Sequence, residues 1–351
     1  MRRCSLLLAC VILAGCHLLP TMREEPFDSD EQILPLKRTA LTSLPIARSL
    51  AFSPDGKYLA SEHLGRVAIR NAATGRVVKE IKTGIVVQDI VYLKDGQHVF
   101  LRGYHVQSMG RGIPPHILPE ACIYNLASGE ITRRFIGNEA EGISIASDRL
   151  SSVTRGDERS TIKIVSLLDP KAKPVECRIH DHIVRVPTLA ADQRRVAFVD
   201  EDSNIRIRDL TTGSELARFQ GHQEPILRLE FTPDGMHLVS VSGGDFKNPV
   251  NVFVWDLAKN AIHLRLKTHD GPFNHFEISD DSRYLAVGIR AVSESTDVTI
   301  WRLSDGAKLR TLEKLAWNTP VAFTPDGSRL AIVEYNGKTR IVPVDSPSSR
   351  Q

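Results

Sequence analysis

A five-residue phrase returns along this chain at nearly even intervals, and it limits the possible fold more than any other feature. Phe52-Ser53-Pro54-Asp55-Gly56 comes back as Phe231-Thr232-Pro233-Asp234-Gly235 and as Phe323-Thr324-Pro325-Asp326-Gly327. Looser copies stand at Tyr92–Gly96, Ile145–Arg149, Leu189–Gln193 and Ile278–Ser282. From first residue to first residue the spacings are 40, 53, 44, 42, 47 and 45. Such a period marks an array of small supersecondary units. The phrase itself is turn chemistry: Pro presets φ, and Asp and Gly accept the remaining turn conformations. Apolar runs on both sides, such as Leu238-Val239-Ser240-Val241, make it a hairpin between two short strands.

A second phrase follows later in each unit. Alternating apolar residues lead to an Asn or Asp and then to a Gly-bearing turn. Examples are Val67–Asn71 before Gly75, Ile123-Tyr124-Asn125 before Gly129, and Ile205–Asp209 before Gly213. Val252–Asp256 and Val298–Arg302 repeat the strand, and a fourth strand such as Glu215–Phe219 comes next. The Asn or Asp can bond the turn backbone, and Gly supplies positive φ. Each unit is therefore four short strands.

This unit resembles the tryptophan-aspartate (WD) repeat of β-propellers. The fullest copy has Gly221-His222 near its start and Trp255-Asp256 on its third strand. In that family a His, a Ser or Thr, an Asp and the Trp form a structural hydrogen-bonded set. His222, Ser240 and Trp255 match it, whereas Pro249 stands six residues before Trp255, where the Asp would be. In the preceding unit Asp202 stands six before Arg208, where the Trp is lost. The resemblance implies an all-β fold: a single seven-bladed β-propeller of four-stranded antiparallel blades over residues 33–345. The last unit supplies only three strands. Ile33–Thr39, which alternates suitably, is expected to pair beside residues 339–344 and close the ring. Residues 346–351 read as a tail.

The first residues set an expected compartment. Arg2 and Arg3 precede a short apolar run over residues 5–14, and Leu13-Ala14-Gly15-Cys16 follows. The run is too short to span a bilayer stably, and the order is that of a secretory leader. It resembles a bacterial lipoprotein signal. That resemblance implies cleavage after residue 15, lipidation of Cys16 and durable membrane attachment by its acyl chains. His17, where an Asp would favour inner-membrane retention, leans the expectation toward an outer membrane. Residues 16–32 are polar and Pro-bearing, and read as a tether.

Lys plus Arg number 45 against 42 Asp plus Glu, for a net charge of +3. That balance argues against nucleic acid as a partner. Cys122 and Cys177 are too few for a disulfide framework; they read as buried thiols, with a Cys122–Cys177 pair in an oxidising compartment as the alternative. His180, His182, His222, His269 and His275 fall near connections between blades, which ring geometry keeps apart, so no metal is expected. No nucleophile elbow, phosphate loop or zinc-helix motif occurs. The chain is therefore read as non-enzymatic and without cofactor. Asp200, Glu201 and Asp202 read as a solvated turn.

The insertions lie on one side. The Pro-Asp-Gly hairpins are short, while residues 103–120, 154–161, 243–249 and 290–297 lengthen the opposite face. Loops on a rigid scaffold carry function. Tyr104, His105, Met109, Arg111 and His116 give the longest insertion the chemistry favoured at interfaces. The expectation is a monomeric protein-binding scaffold at the cell envelope. The competing expectation is an envelope enzyme or small-ligand sensor using the central channel. The inner strands Leu50-Ala51-Phe52 and Val321-Ala322-Phe323 argue against it, because they read as apolar or small.

Overall fold

A computed structural model describes residues 32–34, 49–63, 65–107, 116–136, 144–146, 148–155, 160–179, 187–291, 295–317, 319–334 and 338–345. The leader with Cys16, the tether up to residue 31, Met109, Arg111, the His180 and His182 segment and the tail at 346–351 lie outside them. Among the described residues there are seven sheets of four strands and no helix. Every strand pairs antiparallel with its neighbour. Blade 1 runs from Leu50 to Lys82, blade 2 from Val86 to Ile136, blade 3 from Ser144 to Ile179 and blade 4 from Thr188 to Phe219. Blade 5 runs from Ile226 to Asp270, blade 6 from Phe273 to Leu315 and blade 7 from Val321 to Pro343.

The turns form as their residues dictate. In four of the first hairpins a Ser or Thr hydroxyl donates to the Asp two residues on: Ser53 to Asp55 at 2.7 Å, Thr232 to Asp234 at 2.6 Å, Ser279 to Asp281 at 2.7 Å and Thr324 to Asp326 at 2.6 Å. The Gly that ends the phrase has positive φ at Gly56, Gly235 and Gly327. In the later turns Asn71, Asn125, Asp209 and Asp256 each accept two backbone N–H groups through Oδ1. Blades 1, 2, 4, 5 and 6 also share a β-bulge between strands three and four, at Ile69/Arg70, Ile123/Tyr124, Ile207/Arg208, Val254/Trp255 and Ile300/Trp301.

Burial is organised between blades. Seven apolar clusters form, one at each interface around the ring. One holds Val239, Val252 and Val254 of blade 5 against Phe276, Leu285 and Val287 of blade 6. Another joins Leu330 of blade 7 to Tyr284 of blade 6, and a third joins Ala331 of blade 7 to Leu59 of blade 1. Cys122 and Cys177 are free thiols buried in different clusters. Burial pushes the Cys122 thiol up to about 11.

Blade 7 takes its fourth strand from the N-terminal side. Gln32, Ile33 and Leu34 pair antiparallel with Ile341, Arg340 and Thr339. The pairing begins one residue earlier than the sequence suggested, and residues 35–48 lie outside the described part.

The long insertions differ from the loops expected. Residues 103–107 and 116–120 are not a loop but strand: His98–Gln107 and His116–Asn125 pair along their whole length, up to Gln107 opposite His116. In blade 5, His237–Asp245 and Asn248–Asp256 run to a two-residue turn at Phe246-Lys247. Backbone pairing satisfies the groups that an open loop would leave to water, so both insertions are hairpin extensions.

Candidate interaction face

Within blade 5 the repeat residues converge in a chain of hydrogen bonds. Trp255 Nε1 donates to Ser240 Oγ at 2.8 Å, and Ser240 Oγ lies 2.6 Å from His222 Nε2. Ser242 Oγ meets His222 Nδ1 on the other side of the ring. The relay is consistent if Ser240 donates to Nε2 and Nδ1–H donates to Ser242. Burial, together with the nearby Arg265 guanidinium, pushes the His222 imidazole down to about 4, so the ring is neutral at pH 7. Phe253 stacks on it at 4.2 Å between centroids. Ser242, which sequence reasoning missed, takes up the ring nitrogen on the side where the repeat pattern would place an Asp.

In blade 4 the buried acid is Asp200, not Asp202. Asp200 accepts from the Asp202 and Asn204 backbone N–H groups at 3.1 and 2.9 Å and from Arg206 Nε at 2.8 Å. Burial opposes its ionisation. The bonds from Arg206 and Asn204 outweigh it and hold the carboxyl below the usual range. The turn is therefore not simply solvated: Asp202 is exposed, and Asp200 is enclosed. Asp256 caps its own turn through Ala258 and Lys259.

The face opposite the Pro-Asp-Gly hairpins carries the extended strands. The blade 2 hairpin stands above its neighbours, with Tyr104 half-buried and His105 exposed. His105 Nδ1 lies 3.3 Å from the Gly84 carbonyl oxygen. The backbone of His116 pairs with Gln107 at the upper end of the hairpin. Ile117 is 47% exposed, and Ile136, at the end of the same blade's last strand, is 60% exposed. His269 sits elsewhere, 3.7 Å from Asp297.

A cavity of about 260 Å³ opens at the mouth of the axial channel on this face. It is built by three bulges at matching places on the inner strands, at Val87/Asp89, Ile226/Arg228 and Phe273/His275. The extra residues are Gln88, Leu227 and Asn274, and all three line the cavity. A bulge re-aims the side chains beside it. Asp89, Arg228 and His275 of blades 2, 5 and 6 therefore line the cavity, which corrects the expectation of an apolar lining; Glu230 follows Arg228 by two residues on the same inner strand. Blades 1 and 7 do carry small and apolar residues there. Asp89 accepts from Arg102 Nε at 2.7 Å, and His275 Nε2 lies 3.6 Å from Glu277. Enclosure pushes the Glu230 carboxyl up to about 7; Glu277 adds to the shift, and Arg228 works against it.

Seven four-stranded blades make this a β-propeller, and the His–Ser–Trp relay of blade 5 resembles that of a WD repeat. Residues 213–247, which reach from the end of blade 4 through the first hairpin of blade 5, match the family described as WD domain, G-beta repeat. Over 199 residues the chain is 29% identical to apoptotic protease-activating factor 1 of Rattus norvegicus, covering 56% of this chain and 15% of that protein. It is 27% identical over 100 residues to an uncharacterized WD repeat-containing protein of Synechocystis, covering 28% of this chain and 27% of the relative. It is 26% identical over 147 residues to pre-mRNA-processing factor 19 of Oryza sativa, covering 40% and 24%. The chain thus spans between 15% and 27% of the length of these relatives.

Proposed function

We propose that this chain is a non-enzymatic protein-interaction platform, held at a bacterial cell envelope by a lipid on Cys16 and binding through the face that carries the blade 2 hairpin. The observation that carries the reading is that hairpin: ten-residue strands on a rigid blade, with Tyr104, Ile117 and Ile136 offering apolar and aromatic surface beside them. WD-repeat propellers generally bind protein partners, and exposed apolar patches on a rigid scaffold mark interaction sites. The tether rests on the order Arg2-Arg3, apolar run, Leu13-Ala14-Gly15-Cys16, and His17 favours the outer membrane over the inner. The propeller is taken as a monomer without cofactor, metal or nucleic acid.

A second reading is a small hydrogen-bonding ligand at the channel mouth. The three aligned bulges favour it, because they turn amide and charged side chains toward one cavity.

One experiment separates the two. Full-length protein is crosslinked in membranes and compared with a variant in which Gly103 and Glu120 are joined by a short Gly-Ser turn. Cys16→Ser, followed by incorporation of labelled fatty acid, tests the tether in parallel. Loss of a discrete set of envelope proteins from the hairpin variant, at unchanged melting temperature, is the expected result. The absence of any crosslinked protein from both samples sinks the platform reading in favour of the channel. Equal labelling of Cys16→Ser and wild type removes the lipid anchor.

A further inference from the structure

Away from blade 2, three sequence-distant segments meet on the same face. Phe246 is at the tip of the blade 5 hairpin, Arg290 ends the second strand of blade 6, and Trp317 lies in the connection from blade 6 to blade 7. The Arg290 guanidinium sits 4.7 Å from the Trp317 ring centroid and 5.7 Å from that of Phe246. Both rings remain open to solvent, Phe246 at 49% and Trp317 at 38%. Among the described residues no carboxylate pairs with Arg290, and its Nε has no hydrogen-bond partner. Asp245, beside Phe246, is occupied by the turn, accepting from Lys247 N and from Asn248 Nδ2. Trp317 also adjoins Thr319 and Pro320, which line the channel mouth.

An arginine that sits against two rings has its rotamers restricted before any partner arrives. Its N–H groups lie in the ring plane and fit a carboxylate in paired hydrogen bonds. Fixing the fork in advance removes much of the ordering cost of binding. Exposed Trp and Arg side by side are also the residue types that dominate interface energetics. A free small carboxylate would use the cation and leave both rings wet. A protein segment would use all three.

We propose that Phe246, Arg290 and Trp317 form a docking clamp for a partner-protein segment that carries an Asp or Glu next to apolar residues. This rests on the reading that the face takes protein partners, and it names the chemistry that one part of the face selects.

The test is a random dodecapeptide library displayed on phage and selected on the immobilised full chain. Enriched peptides should carry an acidic residue beside an apolar one. In synthetic copies, Glu→Gln should weaken binding about tenfold or more, and Arg290→Gln in the protein should weaken it to the same degree. Arg290→Glu should recover binding to a peptide whose Glu is replaced by Arg. Phe246→Ala, at an exposed tip closed by its own turn bonds, should also weaken binding, and it serves if Arg290→Gln lowers the melting temperature. Enriched peptides without an acidic residue, or bound equally by Arg290→Gln and Phe246→Ala, overturn the clamp and leave the platform standing. No enrichment at all overturns the clamp too, and the platform then stands or falls on the hairpin crosslinking comparison, which does not involve these residues.

Discussion

Ser240 is fully buried and bridges the Trp255 and His222 side chains. Trp255 Nε1–H gives its hydrogen bond to this hydroxyl, and His222 Nε2 shares it. Ser240→Ala removes one small atom and strands two polar groups in an apolar setting. A stranded group costs its desolvation, about 1–3 kcal/mol. Urea unfolding of Ser240→Ala should show a loss of that order with an unchanged slope, and a variant as stable as wild type would mean the relay adds nothing to the fold. The Gly-His and Trp-Asp dipeptides made most of the relay legible, through their resemblance to a WD repeat. Ser242 was not legible: several hydroxyls line that strand, and which one meets Nδ1 depends on the tilt of the His222 ring. The acid of blade 4 was misplaced by two residues for a related reason. Ser203 takes a left-handed φ of 62°, which tightens the turn so that Asp200, rather than Asp202, reaches Arg206.

At the scale of strands and hairpins, turn chemistry carried the reading. Pro-Asp-Gly and Asn/Asp–Gly phrases fix where a hairpin bends, so the order of strands could be counted before any fold was known. Bulges leave no such mark, since one extra residue in a strand does not disturb its composition. They are also why the channel lining was misjudged: a bulge flips the alternation for the residues beyond it. The one trace is a glycine opposite. Gly103 faces the bulge at Val87/Asp89, and a Cβ there would lie 1.9 Å from the Val86 carbonyl oxygen. The contact is with backbone, so no side-chain rotation relieves it. Gly103→Ala should therefore cost about 1–3 kcal/mol, as overpacking does, by pushing the inner strand of blade 2 outward. Thermal melts should register the loss. Gly213→Ala is a useful contrast, because a Cβ at Gly213 meets nothing within 4 Å and pays only for its positive φ. A Gly103→Ala melt equal to wild type would mean that the bulge adapts freely.

For the whole molecule, the decisive property is that its core has no centre. Seven apolar layers lie between blades, and each needs both of its walls, so the ring is stable only when it is shut. Repeat counting showed the number of blades, but the period says nothing about how the first and last units meet. Closure has two parts. The inner strands of blades 1 and 7 touch, Leu50 and Phe52 sharing a cluster with Ala322 and Ala331. At the rim, Gln32–Leu34 covers the outer edge of Thr339–Ile341. Without that strand, blade 7 would present a bare row of N–H and C=O groups, a template for pairing with another chain. Two truncations isolate this contribution. A chain starting at residue 32 keeps the covering strand and should melt like the longer protein. A chain starting at residue 35 loses only three more residues, yet it should melt at lower temperature and form larger species as concentration rises, which light scattering would detect. If the two truncated chains melt together and stay equally monodisperse, the apolar layer between blades 7 and 1 closes the ring alone, and the outer strand is an ornament of the fold rather than its clasp.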